Sequence, residues 1–440
     1  MYALFRAAKN GYVNELQRLI DNRAKVQAHD DIGSTALMQA AREGHADCVS
    51  LLINARADLD ARALGEHSGA TAVIRAAKHG KTACVRLLVD ANANLEIQDD
   101  NGRTALLQAL RRGHFDCAQM LMDAKADVAV CSRHGVTPLM LATLSGSADV
   151  QRLLDDNADV NALDNEDASA LLWAARFGKA DCAQLLINAK AKLEAGDSPL
   201  AWAARTGRTD CVQLLIAARA ELEAEDASGW TALKWAASGH AGCLELLINA
   251  KADISFDYTH STPMLLAARS GDPECVRLLI DAKADVDAYS EARETALMLA
   301  VRCGSTESLQ LLIDANAYLE AMDEYWTTAL MSASMVNHTA CVKLLIDANA
   351  NTETRDDRGY TALMLAAHFD HTDSVELLIN ENADIEAKDC KGRTALMLAA
   401  DEGHTECVKL LADAGIIAAQ RPRRKRRRAT RATQPRKQHR

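Results

Sequence analysis

The chain has 440 residues, 49% apolar and 25% charged, with 6 prolines and 4% aromatics, the balance of a folded soluble protein built of helices. No apolar run approaches the roughly 18 residues that span a bilayer, and the opening MYALFRAAKNG lacks the layout of a secretory leader, so a chain of the cytoplasm, the nucleus or both is expected. Net charge is −11, but 11 of the 50 Lys and Arg residues lie in 421–440, where there are no acids, which leaves 39 basic against 61 acidic groups elsewhere, a net of −22.

Length alone would suggest about three domains of ~150 residues, a prior that fails when a sequence repeats itself. A Thr-Ala-Leu-like triplet begins at Thr35, Thr71, Thr104, Thr137, Ser169, Ser198, Thr231, Thr262, Thr295, Thr328, Thr361 and Thr394, most often 33 residues apart. The first interval is 36 and the one from Ser169 to Ser198 is 29. Leu4 stands 33 residues before Leu37, so an incomplete copy opens the chain and 13 units end near Ala419.

Each unit reads as the same series of elements. Thr35 offers a hydroxyl to cap a helix N-terminus, Ala36 to Arg42 form a short helix, and Gly44 ends it in a left-handed turn. The second helix carries Cys48, Leu51, Leu52 and Ala55 at i, i+3, i+4 and i+7, with Val49 and Ile53 widening the stripe beyond what one hairpin can bury. A finger follows, alternating through Ala57 to Ala61 and ending in turns such as Asp99-Asp100-Asn101-Gly102. This layout resembles the ankyrin repeat from residue 2 to about 419. The resemblance implies an all-α ankyrin-repeat solenoid of about 13 repeats over 1–419, a monomer that binds other proteins and is not an enzyme.

There is one consistent departure from the family pattern. The family's Thr-Pro-Leu-His places histidine fourth, whereas here that position holds Met38, Ile74, Leu107, Met140, Leu172, Ala201, Lys234, Leu265, Met298, Met331, Met364 and Met397. Apolar packing is expected to replace the polar network that this histidine supports.

Twelve cysteines, nine of them in one repeating column, read as reduced thiols in an unsecreted chain. His-x-x-Cys recurs at His45/Cys48, His114/Cys117, His240/Cys243, His338/Cys341 and His404/Cys407. Zinc needs about four converging ligands, and each unit offers two, so the column reads as small buried core residues. With no phosphate-binding glycine loop and no nucleophile elbow, no catalytic residue, cofactor or metal is expected.

A basic row of Lys9, Arg42, Lys78, Arg111, Arg176, Arg205, Arg269 and Arg302 occupies one equivalent position near the end of the first helix. It either clamps an acidic segment of a partner protein or serves solubility and the helix dipole. Trp173, Trp202 and Trp235 share one helix position in consecutive units, with Trp230 just before the last triplet, beside a finger shortened to 7 residues from Ala191 to Ser198 where most span 11. Tryptophan and arginine dominate interface hot spots, so Trp173, Arg176, Trp202, Arg205, Trp230, Trp235 and Arg269 are the expected partner-binding residues, with Trp326 and Tyr360 as a second region; the alternative is that the clustered tryptophans only fill space between repeats. Residues 420–440 have nothing apolar to bury and read as a disordered tail. Within it Arg421, Arg423, Arg424, Lys425, Arg426, Arg427 and Arg428 resemble a nuclear-import signal. Such a run meets an import receptor, binds nucleic acid, or folds back on the acidic body.

Overall fold

The computed structural model describes residues 2–31, 33–64, 69–194, 196–255 and 261–420. Among them lie 26 helices in 13 consecutive pairs, from Tyr2–Asn10 with Val13–Asp21 to Ala395–Glu402 with Thr405–Gln420. Among the described residues extended structure is limited to isolated bridges such as His29 with Thr35 and Leu163 with Ser169. The solenoid is all-α, as the repeat pattern implies. The last helix runs to Gln420, and the basic run from Arg421 to Arg428 lies outside the described residues.

The helices group into two compact units, 1–232 and 233–440. Within each, first helices stack on first helices of the next repeat and second helices on second helices. The first helix is buried on most of its circumference: in Ala36–Glu43, every residue from Ala36 to Ala41 is buried. The second helix buries one stripe, Cys48, Val49 and Leu52 in Ala46–Asn54. At about 1.5–3 kcal/mol for each large apolar side chain removed from water, stacking supplies what one hairpin cannot. In the second unit the final repeat leaves Met397 51% and Ile416 57% exposed.

Three local devices fix the repeat. At the cap, Thr35 Oγ1 accepts from Met38 N at 3.3 Å while Thr35 N donates to Met38 Sδ at 3.4 Å. Met140 and Met331 close the same reciprocal box with Thr137 and Thr328. Apolar packing is thus only part of what replaces the family's histidine, because the thioether also acts as a weak acceptor.

At the finger, an aspartate organises the turn. Asp99 Oδ1 accepts from Asn101 N and Arg103 N, and its Oδ2 accepts from Gln108 Nε2 at 2.7 Å. Asp30 likewise accepts from Ser34 N and from Gln39 Nε2. The fingertip is tied to the first helix of its own repeat.

At the second-helix start, the recurrent histidine bridges repeats. His338 Nδ1 meets Val301 O at 2.7 Å, His371 Nδ1 meets Ser334 O at 2.8 Å, and His45 Nε2 meets Lys9 O at 3.0 Å. Each ring meets a carbonyl at the end of the preceding first helix, where four acceptors lack intrahelical partners. Glycine is needed for the close approach: a Cβ on Gly80 would lie 2.6 Å from His114 Nδ1.

Candidate functional site

In the first unit the fingertip aspartates select the orientation of the tryptophans. Asp164 Oδ1 accepts from Glu166 N and Ala168 N, and its Oδ2 accepts from Trp173 Nε1 at 3.1 Å. Trp173 therefore takes the place that Gln39 and Gln108 hold in earlier repeats. In the shortened finger the aspartate sits directly before the cap. Asp197 Oδ2 accepts from Trp202 Nε1 at 2.6 Å, and its Oδ1 accepts from Ser198 N and Ala227 N. Gly196 packs so tightly against the preceding finger that a Cβ there would fall 1.7 Å from Asp167 O.

With both indoles fixed, the arginines stack on them. The guanidinium of Arg176 lies 4.6 Å from the Trp202 ring centroid and that of Arg205 lies 4.7 Å from it. Arg176 also lies 5.7 Å from the Phe177 ring, which packs 6.0 Å from Trp173. Trp173 and Trp202 are half-buried and the two arginines exposed. Arg176 makes no ion pair among the described residues, so its N–H edges face solvent while its plane rests on an aromatic ring. Trp230, half-buried, stands in a turn closed by Trp230 N donating to Asp226 Oδ1.

The second unit carries half-buried Trp235, exposed Arg269, and the later aromatic region. Trp326 is 60% exposed and Tyr325 61%, whereas Tyr360 is 7% exposed and accepts from Arg393 Nη2 through its hydroxyl at 2.7 Å. Trp326 stands at φ +63°, in the turn position that Gly359 and Gly392 hold in the following fingers. A cavity of about 340 Å³ opens here, with Met298, Tyr325, Met335, Val336, Tyr360 and Phe369 in its wall. Arg302, in the same wall, pairs with Glu294.

Burial raises four thiols of the cysteine column, Cys84 and Cys211 to about 11 and Cys275 and Cys407 to about 12, with Asp272 and Asp370 adding to the last two. They are protonated core residues. Among the described residues no His, Cys, Asp and Glu group has the makings of a metal site.

The family model described as ankyrin repeats, in three copies, matches residues 1–63, 60–132, 126–197, 171–258, 256–323 and 330–421. The chain belongs to the ankyrin-repeat family. A search of curated proteins returns no match. Ankyrin repeats generally mediate protein–protein interaction and are typically not enzymes. No helix among the described residues is long and apolar enough to cross a membrane.

Sequence reasoning about this ankyrin chain missed Phe177, which completes the Trp173 and Arg176 contacts. It also missed Met335, Val336 and Phe369. Their signal was present, since Met335 stands where the basic row has arginine in other repeats. A further omission, Arg75, is buried at 4% exposure in the first unit.

Proposed function

We propose that the chain is a scaffold that binds partner proteins on the face built of fingers and first helices, and that Trp173, Arg176, Trp202 and Arg205 anchor an acidic partner segment in the first unit. The observation that carries this reading is the pair of guanidiniums at 4.6 and 4.7 Å over the Trp202 ring, itself held by Asp197. An arginine stacked on an anchored indole has lost much of its side-chain freedom before a carboxylate arrives, so less entropy opposes binding. Trp230 extends the proposed surface in the first unit; in the second unit Trp235 and Arg269 are proposed contacts of their own, and exposed Trp326 marks a further one, with the buried Tyr360 contributing only to the wall of the neighbouring cavity.

The test is quantitative partner capture by the full chain beside the folded double variant Arg176→Ala, Arg205→Ala. Captured partner should fall by about tenfold or more if these are hot spots. Undiminished capture by a variant with native helicity would sink this surface.

The basic run at 421–440 supports a second reading, in which it directs the chain to the nucleus or to nucleic acid. Localisation of the full chain beside one ending at Gln420 tests the import role. Equal nuclear fractions would exclude it.

A further inference from the structure

The second complete repeat of the first unit and its neighbours build a feature that the Trp202 surface does not use. The turn that Asp30 opens is closed by Asp30 N donating to Ser34 O, and Asp99 does the same with Arg103 O. In the repeat between them, the matching bond runs from Ala63 N to Ala70 O. Ala63 therefore stands where the organising aspartate belongs, and the finger is three residues longer. The helix position that sends Gln39 and Gln108 to that aspartate holds Arg75.

Arg75 has consequently lost its acceptor. It is 4% exposed, and its Nη2 is buried without a hydrogen-bond partner. No hydrogen bond or ion pair joins its side chain to any described residue. It lines a cavity of about 270 Å³ together with Arg42, Lys78, Arg103, Arg111 and Arg112. Arg42, Lys78 and Arg111 are three successive members of the basic row.

Among the described residues the carboxylates nearby are already engaged. Asp99 spends both oxygens on its turn and on Gln108, and Asp100 lies 3.7 Å from Arg62. Asp30 is held by Ser34 N and Gln39, and Glu43 lies 3.7 Å from Arg42. Two wall carboxylates, Asp99 and Asp100, thus face five arginines, Lys78 and His79. Burial and the neighbouring Arg42 push the Arg75 guanidinium below its usual range, and burial with Arg112 does the same to Lys78. Burial, then Arg42 and Lys78, lower His79.

A buried guanidinium cannot shed its charge to relieve the cost, so its place in a wall of cations is stable only at the expense of the empty state. A single carboxylate brings one charge. A phosphomonoester brings about −1.5 to −2 and three acceptor oxygens in one compact group, matched to the forked donors of arginine. The cavity lies near the small end of ligand pockets, about 300 Å³, which suits one such group and its stem.

We infer that this cavity receives a phosphorylated side chain of a partner protein. The inference rests on the scaffold reading for its partner, but uses different residues. A phosphorylated segment bound there would meet Arg42, Arg75 and Arg111 from three successive repeats, so phosphorylation of the partner would control its capture.

The experiment uses the full chain and a fluorescein-labelled degenerate nonapeptide pool with one central phosphoserine, beside the same pool with serine or glutamate. Anisotropy should show binding of the phosphoserine pool about tenfold tighter than either control, on the scale of one charge-assisted contact set. That excess should be lost in Arg75→Gln and reduced in Arg111→Gln, whose side chain is exposed and whose folding is safe. Gln is the residue that Gln39 and Gln108 already place at this register. Because residues 421–440 are the same in every protein compared, the difference between wild type and variant isolates the cavity.

Two further readouts separate binding from structure. Without anion, Arg75→Gln should melt a few degrees higher than wild type, as removal of a buried unpaired charge requires, and the phosphoserine pool should raise the melting temperature of wild type alone. The preference should also grow as pH rises through about 6, where the phosphate takes its second charge. Equal binding of all pools, or a phosphoserine excess that survives Arg75→Gln, overturns the inference. So does displacement by orthophosphate or by a DNA oligonucleotide at the concentration at which the phosphopeptide itself competes, since the site would then take a free or a nucleic-acid phosphate. Loss of capture in the Arg176, Arg205 variant with phosphoserine binding intact would leave this site standing, and the reverse pattern would remove it alone.

Discussion

Trp326 is a bulky residue held in a left-handed turn with no burial to offset it. Its φ of +63° is one that glycine adopts freely, and its ring is 60% exposed, so packing does not repay the strain. An L-residue in the left-handed region costs about 1–2 kcal/mol, part of which glycine gives back through its larger unfolded-state entropy. Trp326→Gly should therefore stabilise the second unit by about 1 kcal/mol, read as a higher urea midpoint, while weakening any partner that uses this fingertip. A variant no more stable than wild type would mean that the indole makes a contact worth as much as its strain. The Thr–Met caps offer the complementary case. Thr137→Ala removes the hydroxyl that accepts from Met140 N and should cost about 1 kcal/mol. Met140→Leu keeps the volume and loses only the weak sulfur acceptor, so its urea midpoint should move less.

At the scale of the helix hairpin, nine cysteines of the second-helix column are buried while Cys131, Cys303 and Cys390 are exposed. A thiol reagent at pH 8 should react quickly with three thiols in the native chain and with twelve after denaturation. The raised thiols also set an alkaline limit. A group whose folded value stands at about 11, as for Cys84, contributes stability that is complete below its unfolded value near 8.5 and is lost as pH rises toward 11. The urea midpoint of wild type should fall above about pH 8.5, and fall less in a variant with Cys84, Cys211, Cys275 and Cys407 changed to Ala. Parallel pH profiles would show that other groups govern the alkaline side.

The hairpins themselves were legible in the sequence because cap, glycine turn and apolar stripe are all local signals repeated at one period. The tryptophan row was legible for the same reason. What its members bond was not, because the partner aspartate lies at different offsets: Asp164 is nine residues before Trp173, while the truncated finger brings Asp197 to five before Trp202. Arg75 was hidden by the opposite change. Three added finger residues shift the register, and only the bond from Ala63 to Ala70 reveals that alanine has replaced the aspartate. Arg205 stands three residues after Trp202 on the same helix, a spacing that puts the two side by side, whereas the stacking of Arg176 on Trp202 depends on contact between successive repeats, which no spacing within one repeat encodes.

For the whole molecule, the decisive quantity is the separation of charge between a body of net −22 and 20 terminal residues carrying 11 cations and no acids. If those residues hold nucleic acid, each phosphate they neutralise releases a counterion, and the logarithm of the binding constant falls by about 0.9 per contact for each tenfold rise in salt. Six or more contacts would then cost on the order of 10³ in affinity between 50 and 200 mM salt. The acidic body opposes the same ligand, so a chain ending at Gln420 should bind duplex DNA immeasurably even at low salt. Titration of both chains with a labelled duplex at several salt concentrations checks this directly. Binding by the shortened chain would place the contact on the body, with the row from Arg42 to Arg111 the first surface to suspect. A flat salt response in the full chain would remove phosphate neutralisation as the source of any affinity, leaving an import receptor or the acidic body itself as the proper partner of the tail.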